Sequence, residues 1–565
     1  MVKAWRITCA GVLLCALAGC TDPVRSSAAS VPLHQTVEVA TAIETIVATG
    51  RHPFGQLDLA DREQLKALYE PVANAPIWID GFNRPSPTAR DALVLLSGAA
   101  DEGFDPGAYN GPALEGIAAV LSTSAEPTVS DLATFDTALT INTLRYFRQL
   151  HRGRVDPRAI GFKISVPPDR DDYVALLRSA VANHRIAETA TELAPPLVLY
   201  RGLRHQLTQY RVLAADRSLL PLPAPVATVH PGERYAGLLA LYQRLVALGD
   251  LPATAPPATE PPVYSGALIE GVKHFQLRHG LQSDGVLGAG TQAALAVPLS
   301  WRVRQIELAM ERLRWLPHLG DEPFLAVNIP MFHLWGWDSI RPNGVPSFGT
   351  GVIVGRALNT KTPVLVEDMR YIVFRPYWNV PPSILRHEML PILERDFDYL
   401  DRQNLEIVSG QGDDALPVPA TAESLAQLRA GILRLRQRPG PKNSLGLIKF
   451  IFPNDENVYM HGTPAQELFS RSRRDFSHGC VRLEDPIALA EWTLKDQPGW
   501  TRERIVAAMN ATQSSRVSLT RPIRVILFYV TAVVMPEDGT IRFAEDIYGH
   551  DATLDRGLAR QQTIR

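Results

Sequence analysis

Tyr459-Met460-His461-Gly462-Thr463-Pro464 and Ser477-His478-Gly479-Cys480-Val481-Arg482-Leu483 are the two stretches on which the reading of this chain turns. A cysteine nucleophile needs a neighbouring base or a lowered pKa, because a free thiol near pKa ~8.5 is mostly protonated at neutral pH. Two histidines lie within 19 residues upstream of Cys480, one of them two positions away. Gly479 permits a sharp turn that brings backbone N–H groups close to a substrate. Downstream, Asp485 and Pro486 read as the N-cap and first position of a helix. Cys480 is therefore expected in a strand-to-helix connection. The same residue types also bind zinc, but no fourth ligand stands at metal spacing, so neither a metal nor a cofactor is expected.

Outward from this pair, the chain from about 322 reads as strands. Phe324-Leu325-Ala326-Val327-Asn328-Ile329, Gly351-Val352-Ile353-Val354-Gly355 and Tyr371-Ile372-Val373-Phe374 are short β-rich runs punctuated by Gly and Pro. A helical, loop-rich insertion is read at about 383–445. Strands resume at Gly446-Leu447-Ile448-Lys449-Phe450, Asn457-Val458-Tyr459-Met460 and 523–530. The simplest architecture is a β-rich domain over 320–550 with an inserted helical cap.

Upstream, 46–220 reads as a helical scaffold, with Leu65, Leu68 and Tyr69, then Ala92, Leu93 and Leu96, then Leu139, Leu144 and Phe147 at helical spacing. Pro221, Pro223, Pro225 and Pro231 mark a linker. Within 232–300, Tyr235, Leu238, Leu239, Tyr242, Leu245 and Val246 make an amphipathic helix closed by Gly249. A second helix carries Leu268, Ile269, Val272 and Phe275. Phe275-Gln276, Gly280-Leu281, Asp284-Gly285, Thr291 and Leu295 then resemble the three-helix peptidoglycan-binding module. The expected fold class is multidomain α+β.

The motif pair that opens this reading strongly resembles the L,D-transpeptidase (YkuD-type) catalytic domain. So do Pro376-Tyr377-Trp378-Asn379-Val380-Pro381-Pro382, Arg436-Gln437-Arg438-Pro439-Gly440-Pro441, Lys449-Phe450 and Asp546-Ile547-Tyr548. With the helical scaffold and the peptidoglycan module, the chain is similar to the large, YcbB-like branch of that family. The resemblance implies Cys480 as nucleophile, His461 as general base, the Gly462 carbonyl as the group orienting its imidazole, and His478 as a supporting residue. It makes the N–H groups of Gly479 and Cys480 candidate oxyanion donors. Arg482, Ser477 and Trp378 are candidates to contact the substrate, with a structural arginine hydrogen-bonded to backbone the alternative for Arg482 and core packing the better reading for Trp378. The large branch often has Asp after the base histidine, where this chain has Gly462.

The implied reaction is acyl transfer from a peptidoglycan tetrapeptide stem. Cys480 attacks the carbonyl of the third residue, D-Ala leaves, and an amine of a neighbouring stem resolves the thioester to a 3→3 cross-link. An L,D-carboxypeptidase, an enzyme attaching protein to the wall, and a non-catalytic wall-binding lipoprotein are the alternatives.

The remaining features concern location. The chain has 565 residues, 46% of them apolar, and a net charge of −2, which gives no basic footprint for nucleic acid. Lys3 and Arg6 precede an apolar run over 7–18, too short to span a bilayer, so 1–19 reads as a lipoprotein signal peptide and Cys20 as its lipidation site. Residues 20–45 read as a tether. The expectation is a periplasmic protein held to a membrane by lipid at Cys20. Of four cysteines, Cys9 and Cys15 leave with the signal, so Cys480 remains as the one free thiol. Gly349-Thr350-Gly351-Val352-Ile353-Val354-Gly355 has the wrong spacing for a nucleotide fingerprint, and His387-Glu388 lacks the second histidine of a zinc protease motif.

Overall fold

A computed structural model describes residues 33–164, 169–223, 227–255, 262–317, 319–339, 344–356 and 360–563. The signal-like segment 1–19, Cys20 and the first part of the tether lie outside the described residues. The rest of the tether differs from expectation, because Leu33–Thr49 is a helix. Val39 and Ile43, one helical turn apart, are its buried contacts. No helix among the described residues is long and apolar enough to cross a membrane.

The chain divides into two compact units, 1–86 with 117–137, and 87–116 with 138–565. In the first, the helices Leu33–Thr49 and Leu59–Tyr69 flank a hairpin of β1 (Arg51–His52) and β2 (Gly55–Gln56). The buried Asp136 carboxylate accepts from Tyr69 OH (2.5 Å), Ile77 N (3.1 Å) and Trp78 N (2.8 Å). Burial pushes its pKa up to about 6 despite these donors.

The second unit holds most of the remaining helices, the peptidoglycan-binding-like module and the β-rich domain. The module is three helices, Leu238–Ala247, Ala267–Arg278 and Ala289–Ala296, around their own core of Leu241, Leu245, Val272 and Phe275. Buried Gln276 donates to Asp284 Oδ1 (2.9 Å), Val286 O (2.9 Å) and Thr291 Oγ1 (3.0 Å), and accepts from Gly285 N (2.8 Å). One amide thereby ties together the Phe-Gln, Asp-Gly and Thr positions read in the sequence. Gly285 has φ +73°, which a side chain would strain.

The β-rich domain contains β3 (Phe324–Asn328), β4 (His333–Trp337), β5 (Phe348–Gly355), β6 (Leu365–Phe374), β11 (Ile448–Ile451), β12 (Met460–His461), β13 (Asp475–Ser477), β14 (Val481–Leu483) and β15 (Ser515–Phe528). They form a nine-stranded sheet in the order β13-β5-β14-β12-β11-β6-β15-β3-β4, and β4 pairs back onto β5, closing the sheet on itself. The apolar runs of β3 and of the last four residues of β15 (525–528) follow from burial on both faces. Leu325, Val327, Val525 and Leu527 point into one core, and Phe324, Ala326, Ile526 and Phe528 into another, against the helices Val198–Ala215 and Leu299–Leu313. A small hairpin of β16 (Ala532–Val534) and β17 (Ile541–Phe543) joins the second core.

The insertion holds short helices but also a four-stranded antiparallel sheet, β7 (Trp378–Asn379), β10 (Arg434–Gln437), β8 (Leu405–Ser409) and β9 (Leu416–Val418) in spatial order. Leu405, Ile407, Leu433 and Leu435, at strand period, supply its core together with Trp378. The insertion is thus helical only in part.

Helix Leu299–Leu313 is fastened by a buried ionic network. Glu311 accepts from Arg154 N (2.5 Å), Val155 N (3.2 Å) and Arg314 Nη1 (3.1 Å). Arg314 also donates to Tyr200 OH (2.6 Å), and Tyr200 donates to Glu102 (2.6 Å). Removing one member leaves buried charge unpaired. Glu311→Ala is expected to destabilise the protein by about 3–5 kcal/mol, read as a lower denaturant midpoint in equilibrium unfolding.

Candidate active site

The site is set by strand pairing. β12 and β14 run parallel with Met460 opposite Val481 and His461 opposite Arg482, and Val481 N donates to Tyr459 O at 3.1 Å. Residues directly across a sheet share a face. Met460 and Val481 therefore face the core, where both are fully buried. His461, Arg482, Tyr459 and Cys480 share the opposite face. On the other side of β12, Lys449 stands across from His461. Tyr459 belongs to this face alongside Cys480: its ring lies 5.7 Å from that of His461, and Lys449 Nζ lies 6.0 Å from its centre.

His461 is buried, and its Nδ1 donates to Gly462 O at 2.5 Å. A ring nitrogen bonded to a carbonyl must carry the hydrogen, so in the neutral ring Nε2 holds the lone pair. Burial, joined by the Arg482 and Lys449 charges and opposed by the Gly462 and Leu445 carbonyls, lowers the His461 pKa to about 3. The resting imidazole is neutral. Cys480 is only partly covered from solvent but densely surrounded, and burial raises its thiol pKa, while hydrogen bonds with Tyr459 and the Arg482 charge pull the other way. Its Sγ lies 3.9 Å from Asn457 O. That carbonyl is delivered by a tight turn in which Asn457 has φ +53° and Asn454 Nδ2 donates to Phe452 O (2.6 Å) and Val458 O (2.7 Å). Thiol and imidazole thus both rest neutral on the shared face.

The turn that carries Cys480 is strand–turn–strand. β13 ends at Ser477, β14 begins at Val481, and the helix Pro486–Leu494, N-capped by Asp485 (2.9 Å to Ala488 N), comes only afterwards. The expected strand-to-helix placement of Cys480 is corrected accordingly. Gly479 has φ +114°, accessible essentially to glycine alone. Gly479 O accepts from Thr362 Oγ1 (2.8 Å), which itself accepts from Gly355 N (2.8 Å). Tyr548 OH braces the same segment by donating to Gly355 O (2.5 Å) and accepting from Thr362 N (3.1 Å). The C=O and N–H of a trans peptide point opposite ways, so the Cys480 N–H is directed away from Thr362 and the underlying strand.

Three expectations change here. The Gly479 N–H donates to Ser477 Oγ at 3.2 Å, so of the two proposed oxyanion donors the Cys480 N–H is the one left unengaged by this turn. Ser477 is buried, and its Oγ donates to Cys480 O at 2.5 Å, so it shapes the turn instead of meeting substrate. Trp378 is buried in the core of the insertion with Val380, Leu405 and Leu435, so it is packing. His478 faces outward, and its Nε2 lies 2.6 Å from Glu388 Oε1, on a one-turn π-helix of the insertion, Leu385–Met389. Arg482 is half-buried with its Nε hydrogen unmet, and its pKa is lowered by burial and by Arg356. The sequence pattern assigned no role in the site to Tyr459, Thr362 or Glu388, although Tyr459 opens the histidine motif and Glu388 stands in the set-aside His387-Glu388 pair. Only Tyr459 carried a signal, its i, i+2 spacing from His461 on one strand.

Comparison with known proteins agrees with this geometry. Residues 323–506 match the L,D-transpeptidase catalytic domain, residues 235–295 the "Putative peptidoglycan binding domain", and residues 63–207 a scaffold domain. A Haemophilus influenzae protein named "Putative L,D-transpeptidase" is 33% identical over 254 residues, which are 45% of this chain and 49% of that protein. The chain thus spans about half the length of this curated relative. Closed sheet, cysteine turn and matched segments together identify a multidomain chain that carries an L,D-transpeptidase catalytic domain and a peptidoglycan-binding domain.

Proposed function

We propose that this protein is an L,D-transpeptidase that forms 3→3 peptidoglycan cross-links through a thioester on Cys480. The observation that carries the reading is the shared face of His461 and Cys480, fixed by the β12–β14 register within a domain of this family. His461 Nε2 takes the Sγ proton as sulfur attacks the carbonyl of the stem's third residue. The Cys480 N–H supports the developing oxyanion, and Arg482 receives the terminal carboxylate of the departing D-Ala. His461 returns its proton to the leaving amine as the C–N bond breaks. The amine of a second stem then attacks the thioester, His461 accepts its proton, and the C–S bond breaks to regenerate the thiol.

The insertion supports transfer over hydrolysis by covering this face. Tyr459, beside Cys480, packs against the insertion's apolar core, and Glu388 meets His478. The 1–19 leader and Cys20 further support lipid anchoring in the periplasm, with the peptidoglycan-binding module holding the substrate polymer near.

Incubation with disaccharide-tetrapeptide and mass spectrometry tests the reading. Cross-linked dimer and free D-Ala are expected, with Cys480→Ala inactive and His461→Ala slower by about 10²–10⁴-fold. Tripeptide without dimer would assign a carboxypeptidase, and failure to form any acyl adduct on Cys480 would remove the enzymatic reading altogether. The neutral resting pair has its own signature. Alkylation of Cys480 by iodoacetamide in the free protein should keep rising with pH through and beyond the ordinary thiol range. A plateau between about pH 5 and 7 would instead reveal a preformed thiolate–imidazolium pair.

A further inference from the structure

A cavity of about 500 Å³ lies where three parts of the second unit meet. Its walls are the end of the helix Val198–Ala215 with the strap that follows it (213–223), the peptidoglycan-binding-like module, and the start of the helix Leu299–Leu313. A volume of this order suits a small organic ligand. None of the lining residues belongs to the cysteine site. The strap is seated on the module. Leu220 N donates to Gln243 Oε1 (3.3 Å), and Pro223 packs so closely that a Cβ on Gly237 would meet Pro223 Cγ at 2.6 Å and Tyr235 Cζ at 2.7 Å.

The polar groups on the wall are mostly donors without acceptors. Arg244 is half-buried, and its Nε is buried without a partner. Burial lowers its pKa, and no acid among the described residues opposes that shift. Tyr235 is only 8% exposed, and among the described residues its hydroxyl meets no hydrogen-bond partner. Ser300 lies in the first turn of the helix Leu299–Leu313, where Pro298 offers the N–H groups no capping side chain and no acidic residue stands. The one acid on the described wall, Asp216, is exposed and already accepts from Ser218 N (2.8 Å) and Ser218 Oγ (2.7 Å). Leu219, Leu222, Leu287 and Leu295 supply apolar surface between these groups.

A half-buried cation and a buried hydroxyl without partners are costly until an acceptor arrives. One guanidinium, one hydroxyl and one helix amino end match a single carboxylate followed by a peptide carbonyl. A phosphate dianion would call for a second cation, and a hydrocarbon tail would leave part of the donor set facing apolar atoms.

We propose that this cavity is a binding site for a short peptide with a free C-terminal carboxylate and small apolar side chains, the carboxylate paired with Arg244 and the preceding carbonyl accepting from Tyr235. The module supplies both of these residues, and the chain on either side of it supplies the remaining walls, so the bound peptide bridges the module to its neighbours. The site is independent of the chemistry at Cys480.

The test titrates the full chain with an N-acylated Ala-Ala dipeptide that carries a diazirine on its acyl group, and with the carboxamide of the same compound. Photolysis is expected to label 213–223 and 295–300 in peptide mapping, and the acid to bind about tenfold more tightly than the amide. Arg244→Met should weaken binding of the acid by about tenfold and leave the amide unchanged, and Arg244→Lys should recover part of the loss. Tyr235→Phe should weaken both by about fivefold. Unfolding midpoints establish that the variants fold. Competition with disaccharide-tetrapeptide separates the sources: displacement assigns the ligand to wall peptides, and its absence assigns a free peptide. Equal affinity for acid and amide, unchanged binding of the acid to Arg244→Met, or label confined to residues away from this cavity would overturn the proposal.

Discussion

Everything at this site depends on one parallel strand pair of two residues on each side. With Met460 opposite Val481, the apolar members of both strands enter the core and the reactive members face out together. A slip of one residue would turn Cys480 or His461 into the core and expose Met460 or Val481, so burial of those two side chains fixes the chemistry as firmly as it fixes the fold. The parallel sense also explains the chain that intervenes. A hairpin cannot join parallel strands, and the crossover from His461 to Val481 gives space for β13, which pairs with β5 and delivers the cysteine turn from the neighbouring edge.

Electrostatics then acts in a direction that motif reading does not anticipate. A reactive cysteine is usually pictured with a depressed pKa. Here burial raises the thiol, and burial with two flanking cations lowers the imidazole to about 3. Both groups rest neutral, which limits adventitious reaction of the Cys480 thiol. The same cations that disfavour imidazolium favour thiolate and oxyanion. In the acyl transfer proposed above, their effect would therefore change sign as negative charge develops on the sulfur and the carbonyl oxygen.

The sequence made the chemistry legible and hid much of the architecture, for physical reasons. Gln276 was visible as part of a pattern because its amide bonds three short-range partners in the same module. Cys480 and His461 were visible because few other roles need those residues so spaced. The helix Leu33–Thr49 was missed because a single i, i+4 pair, Val39 and Ile43, anchors it in a Thr- and Ala-rich stretch. β4 was missed because His333-Leu334-Trp335-Gly336-Trp337 has a mid-strand glycine; Gly336 is there because a side chain would meet the Trp492 ring at 3.2 Å. The sheet of the insertion escaped notice because its strands are only two to five residues long. Trp378 and Ser477 look functional in sequence because they border motifs. Only burial and hydrogen-bond direction reveal that they serve packing and the turn.

The cysteine turn shows how a rigid frame and a reactive group can occupy the same few residues. Ser477 O accepts from Arg356 N (3.0 Å), Gly479 O from Thr362 Oγ1 (2.8 Å), and Cys480 O from Ser477 Oγ (2.5 Å), so three carbonyls of the turn are tied to protein donors. Each tie also sets the peptide that follows it. Holding Gly479 O against Thr362 commits the Cys480 N–H to the opposite side, where the proposed acyl transfer would place negative charge. This needs the φ of +114° at Gly479, which turns the chain between the two hydrogen-bonded carbonyls. It needs, too, the absence of a side chain at Gly355, where a Cβ would collide with Thr360 O at 2.0 Å. Two glycines on different strands, a threonine and a tyrosine from distant segments thus cooperate to orient one N–H. The orientation of this proposed oxyanion donor is therefore a property of long-range packing, although the motif that carries it is only a few residues long.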